Sequence, residues 1–227
     1  MKQKFTILFD LDGTLVDTAP DLMLAHNHVM KKFGYPTKST EEIRNLVGKG
    51  AGALIGRSIW GQAKKEFSKV LDEKIKDDMV KEFVNFYGKN IINKSTLING
   101  VKEFLKWCKE QSISMAVCTN KQEHLSNDLL KKIGIYDFFE YVAGSNTFDY
   151  CKPDPRHLTN VVEILDGDIK KTIMIGDSEN DANAAKAAEI PVILLENGYT
   201  EKNTTEIYHN HLIKDFIGIE KIISKYL

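Results

Sequence analysis

The stretch FDLDGTLVDT, residues 9–18, decides how the rest of the chain is read. It closes an apolar run, Phe5 to Phe9, of the short continuous kind expected of a strand buried on both faces. The run ends in Asp10, Leu11, Asp12 and Gly13. Carboxylates at the end of a buried strand are costly to desolvate, so this pair calls for a compensating charge or a chemical task.

Three more runs of the same kind lie downstream: Ser114 to Cys118, Thr172 to Ile175 and Val192 to Leu195. Stretches with helical spacing separate them, such as VKEFLKWCKEQ and DANAAKAAE. Strands alternating with helices predict an α/β fold with a parallel sheet covered on both faces. Between residues 19 and 94 that rhythm breaks into successive helices. Pro20 suits a first helical turn, with Asp17 read as a cap or hinge residue before it. Ser39 and Glu42 form a capping box, and Ile75, Met79, Phe83 and Phe86 make an apolar stripe. The aromatic run Phe83, Phe86 and Tyr87 reads as part of a helical core. The expected organisation is a core of residues 1–18 and 95–227, with a helical cap, 19–94, inserted by two crossings near 16–19 and 92–98.

Composition narrows the function classes. A net charge of −1 offers no broad basic field for nucleic acid. No run of eighteen apolar residues is present, so no membrane helix is expected. The opening MKQKFTILFD is interrupted early by Asp10, unlike a signal peptide, which points to a cytoplasmic address. Three cysteines, Cys108, Cys118 and Cys151, without a CxxC pair, read as reduced thiols. Local binding of a small anionic molecule, by a monomer or homodimer, stays open.

Ligands of parallel α/β sheets bind at the carboxyl ends of the strands. There the first strand delivers Asp10 and Asp12, and the second delivers Thr119, Asn120 and Lys121. The strand TIMIG delivers Asp177, with Asp181 one helical turn on, and the loop CKPDP brings Lys152. Converging carboxylates repel by about 4 kcal/mol per pair at ~4 Å and an effective dielectric near 20. A hard cation, Mg²⁺, relieves that conflict. Asp10, Asp177 and Asp181 are suitable ligands, and a backbone carbonyl near Asp12 can join them. Asp10 is then placed to attack phosphorus, and Asp12 to act as acid and then base. Thr119 and Lys152 can stabilise phosphoryl oxygens, Asn120 can touch phosphate or brace its loop, and Gly13 lets backbone amides approach the phosphate.

These residues resemble the haloacid dehalogenase superfamily. DLDGTLVD is similar to its first motif, Thr119 to its second, Lys152 in CKPDP to its third and GDSEND to its fourth, in the same order. The resemblance implies a Rossmann-like core, Mg²⁺ dependence, Asp10 as nucleophile, Asp12 as acid/base and a small phosphorylated metabolite as partner. Dehalogenases of the superfamily lack the second aspartate, so Asp12 implies phosphoryl chemistry. IRNLVGKGAGALIGRSI and NGYT resemble segments of phosphoglycolate phosphatases, which implies that Lys49 and Arg57 reach a substrate carboxylate. GKG replaces the GNG common there. Sugar phosphatases, pyrophosphatases and β-phosphoglucomutases have similar caps and stay open as alternatives, as does, more remotely, a receiver-like signalling module.

Overall fold

A computed structural model of the chain describes residues 4–66 and 73–227. The first three residues of the MKQKFTILFD opening lie outside it. In chain order the elements are β1 (Thr6–Phe9), β2 (Val16–Asp17), α1 (Ala19–Phe33), α2 (Thr40–Arg44), α3 (Gly50–Glu66), α4 (Glu73–Lys89), β3 (Thr96–Leu97) and α5 (Val101–Glu110). There follow β4 (Ser114–Cys118), α6 (Glu123–Ile133), β5 (Tyr141–Ala143), α7 (Arg156–Ile164), β6 (Thr172–Gly176), α8 (Glu179–Ala187), β7 (Val192–Leu195), β8 (His211–Ile213) and α9 (Glu220–Ile223).

The main sheet has the order β5-β4-β1-β6-β7-β8, and its pairings are parallel. Successive residues of β1 feed opposite faces. Ile7 and Phe9 pack with Met115, Val117, Ile173 and Ile175, whereas Leu8 packs with Ala116, Met174 and Leu194 on the other side. Both faces are therefore dry, which is why these strands are continuous apolar runs and not alternating ones. This is the α/β architecture expected from the sequence. Two edge strands, β5 and β8, were not foreseen; each is three residues long.

β1 sits between β4 and β6, with Phe9 level with Val117 and Ile175. The loops after these three central strands thus emerge together. β2 and β3 pair antiparallel, Val16 with Leu97 and Asp17 with Thr96, in a small ribbon at the base of α1–α4. Those helices share apolar contacts among Leu22, Val29, Ile43, Ile55, Met79 and Phe83. Of the stripe on α4, Met79 and Phe83 are buried while Ile75 is exposed, and Phe86 stacks on His28 at the edge. Ser39 and Glu42 form the expected capping box on α2. No helix among the described residues is long and apolar enough to cross a membrane.

Candidate active site

Asp10 leaves β1 with its N–H still bonded to Ile175 of β6, at 2.9 Å. Its Oδ1 accepts from Leu11 N–H at 2.7 Å and lies 3.0 Å from Lys152 Nζ. Lys152 also donates to Asp181 Oδ1 at 2.5 Å. The second oxygen of Asp181 caps α8, accepting from Ser178 Oγ at 2.7 Å and from Ser178 N–H at 3.1 Å. Asp177 Oδ2 accepts from Tyr199 N–H at 2.7 Å.

Asp10, Asp177 and Asp181 each bring one carboxylate oxygen within 4.8 Å of the others, and all three are buried. One lysine against three buried acids leaves the group two charges short of neutrality. Burial accordingly pushes the Asp10 carboxyl up to about 6, with Lys152 opposing the shift and Asp181 adding to it. Burial also raises Asp177 well above the carboxylate range, helped by Asp10 and Asp181. For Lys152, burial works against the charge, but Asp10 and Asp181 outweigh it and hold the ammonium more firmly protonated than usual. The hard oxygen donors and missing positive charge fit a divalent cation such as Mg²⁺.

Asp12 has a different setting. Its Oδ1 accepts from Thr18 Oγ1 at 2.7 Å, and its Oδ2 lies 2.7 Å from Lys121 Nζ. Its side chain therefore stands outside the trio of acids, so of the four aspartates read as metal-binding the structure gathers three carboxylates. Thr18, spent on Asp12, makes no side-chain cap bond to α1, and Pro at the first turn starts that helix. Asp17 is no cap either: Arg44 of α2 donates to its Oδ2 at 2.6 Å and Tyr199 Oη to its Oδ1 at 2.5 Å.

Gly13 has φ +81°, and a Cβ there would lie 2.1 Å from Asp177 Oδ2. Its role in the structure is to let β1's loop and β6's loop touch. Its own N–H bonds Val16 at 2.8 Å and is not free for a phosphate. Asn120 braces: its amide donates to Lys152 O and to Gly48 O, both at 2.9 Å. Asn180 donates to the same Gly48 carbonyl at 3.0 Å. Thr119 is buried beside them, with Oγ1 accepting from Lys121 N–H at 3.2 Å.

A cavity of about 260 Å³ opens over these loops. Asp10, Asp12, Thr119 and Lys121 line its floor; Gly48, Lys49, Phe83 and Tyr87 come from the helical segment opposite. Tyr87, expected to be helical core alone, is thus also a cavity wall. Lys49 lines a second cavity as well, of about 210 Å³, where Arg57 lies. Arg57 is not brought to the floor. It pairs with Glu201 and donates to the carbonyls of Leu46 and Asn45 at 3.2 Å each. The sequence places Lys121 at the strand ends and Tyr199 in the NGYT segment, but gives neither a task in the site. Lys121 stood next to Thr119 in the sequence, but its bond to Asp12 spans 109 positions.

Comparison with known proteins places these observations. A family model described as haloacid dehalogenase-like hydrolase matches residues 7–195. Phosphoglycolate phosphatase of Mesorhizobium japonicum is 37% identical over 210 residues, covering 92% of this chain and 90% of its own. The enzyme of that name from Caulobacter vibrioides is also 37% identical, over 95% of this chain and 89% of its own. A crystal structure described as a predicted phosphoglycolate phosphatase from Haemophilus somnus superposes with a TM-score of 0.91. It has 32% identity and covers 98% of this chain and 99% of its own.

Proposed function

The chain belongs to the haloacid dehalogenase-like hydrolases and is a phosphoric monoester hydrolase, and on that premise we propose that it converts 2-phosphoglycolate to glycolate and phosphate through a phosphoryl-Asp10 intermediate, with Mg²⁺ as cofactor. The observation that carries the mechanism is the separation of two neighbouring aspartates. Asp10 lies in the buried acid group on Lys152, whereas Asp12 is held apart on Thr18 and Lys121, on the floor of the same cavity.

Leu11 and Lys152 both grip Asp10 Oδ1, which leaves Oδ2 for bond formation. Oδ2 attacks phosphorus as the ester P–O bond breaks, and the departing glycolate oxygen takes a proton from Asp12. Water then attacks the phosphorus and gives its proton to Asp12, and the bond to Asp10 Oδ2 breaks to release phosphate. Thr119 Oγ donates to a phosphoryl oxygen, and the Lys152 ammonium opposes its charge throughout. Mg²⁺, held by Asp10, Asp177 and Asp181, would neutralise charge on the transferring phosphoryl group.

We take residues 19–94 as the cap and 1–18 with 95–227 as the core. In this reading Lys49 supplies positive potential to the cavity for an anionic substrate. Arg57 acts through the 45–50 loop, whose carbonyls it holds. The relatives named above support phosphoglycolate over a sugar phosphate or pyrophosphate. Phosphate release is the test, measured with Mg²⁺ and with chelator across phosphoglycolate, pyrophosphate, sugar phosphates and nucleoside monophosphates. A kcat/KM for phosphoglycolate well above the rest, lost in chelator, is expected. A flat profile discards the substrate, and activity unchanged in excess chelator discards the metal.

A further inference from the structure

Phosphoglycolate places severe limits on its receptor. One carbon separates the ester oxygen from the carboxylate, so the group that reads the carboxylate must lie within a few ångströms of the group that protonates the ester oxygen. Arg57 is tied at the rim of the second cavity and fails that condition. Lys121 meets it: its ammonium is 2.7 Å from Asp12 Oδ2, and it is 8% exposed.

Lys121 does not stand alone. Its Nζ lies 4.6 Å from the centre of the Tyr87 ring, which comes from α4 on the opposite side of the cavity. A cation over an aromatic face is held there without consuming any of its hydrogen-bond donors. Tyr87 is 1% exposed, yet its hydroxyl has no hydrogen-bond partner among the described residues. A buried hydroxyl left unpaired loses its hydration without a replacement, so such a group needs an explanation. The surrounding cap wall gives none, since Leu22, Val80, Phe83 and Val84 are apolar. The chemistry derived above does not use Tyr87, and it uses Lys121 only to hold Asp12.

We propose that Lys121 and Tyr87 form the subsite for the substrate's carboxylate, the ammonium opposing its charge and the tyrosine O–H donating to it. The subsite joins core to cap, one residue from each, so that it is complete only with α4 seated over the β4 loop. The apolar walls around it exclude water and reject bulkier, hydroxylated leaving groups, which would leave their own polar atoms unpaired. The proposal rests on the phosphoglycolate reading.

The test compares 2-phosphoglycolate with ethyl phosphate, which has the same ester and no carboxylate. The quantity read is the ratio of the two kcat/KM values in the wild type, in Tyr87→Phe and in Lys121→Met. The ratio is expected to fall about tenfold in Tyr87→Phe and about a hundredfold in Lys121→Met, the second losing a charged partner. Because each protein supplies both rates, a partial loss of folded enzyme cancels. A ratio within about twofold of wild type in either variant overturns the subsite, since an equal loss on both substrates is a structural or catalytic effect. A wild-type ratio near one is a separate outcome: it removes the phosphoglycolate reading before the variants are compared, and the subsite with it.

Discussion

The two sides of the cavity are built in opposite ways. On the core side three of the four acids are each held by two partners: Asp10 by Leu11 and Lys152, Asp181 by Lys152 and Ser178, Asp12 by Thr18 and Lys121. On the cap side the lining is mostly aliphatic and aromatic, and Tyr87 carries a hydroxyl that no described residue engages by a hydrogen bond. Groups that must not move are cross-tied, and groups that meet the variable part of a substrate are left open. In the function proposed above, the difference separates the chemistry, on the sheet, from the reading of the substrate, to which the helices add Tyr87.

That division is sharpest at Asp10. Asp10→Asn keeps the shape of the floor and removes the attacking charge, so turnover is expected to fall by more than about 10³-fold, read as phosphate release with deamidation excluded by mass. Full turnover would break the core half of the comparison. Lys152→Met comes next. It strands Asp10 and Asp181 without their cation, which is expected to cost about 3–5 kcal/mol in metal-free urea unfolding. Mg²⁺ should restore part of that loss, because it supplies positive charge to the same acids.

The acid group also sets a pH dependence. Burial raises Asp10 from 3.8 to about 6, and Asp177 moves the same way. The folded protein therefore holds these protons more tightly than the unfolded chain does. The contribution of Asp10 to stability is complete below about pH 4 and is lost as pH rises through about 6, and that of Asp177 is lost in the same direction. Mg²⁺ needs the ionised form. The Tm gained on adding Mg²⁺ is expected to grow from about pH 5 to about pH 7, following these shifts. A gain independent of pH would detach the metal from this group. Of smaller effect is Arg44→Ala, which cuts a half-buried tie between α2 and Asp17, expected to cost about 1 kcal/mol in urea unfolding. Smallest is Arg57→Ala: with Glu201 mostly exposed, stability should change by less than about 0.5 kcal/mol. A selective loss on phosphoglycolate in that variant would move carboxylate recognition to the rim.

Much of this was legible in sequence because three of the site's residues directly follow buried strands. Asp10, Thr119 and Asp177 sit directly after β1, β4 and β6, and those strands announce themselves by apolar runs too short for helices. What escaped depends on contacts with no local trace. β5 and β8 are three-residue edges, below the length at which a run separates from a loop. Tyr87 looked like one more aromatic on an amphipathic helix, since periodicity shows that a side chain faces inward and not whether it meets a core or a cavity. Asp17 looked like a helix cap because it precedes Thr18 and Pro20. Its partner Tyr199 lies 182 positions away, and only the fold brings the two together.

The ribbon of β2 and β3 has a consequence of its own. Both ends of the helical segment depart from the sheet side by side, Val16 level with Leu97 and Asp17 with Thr96. To the core, everything between them is equivalent to one tight loop. A segment attached in this way can be lengthened, trimmed or exchanged for another without changing the spacing of the strands that hold Asp10, Thr119 and Asp177. The ribbon acts as a socket: it fixes where the segment leaves and returns, whatever the segment carries.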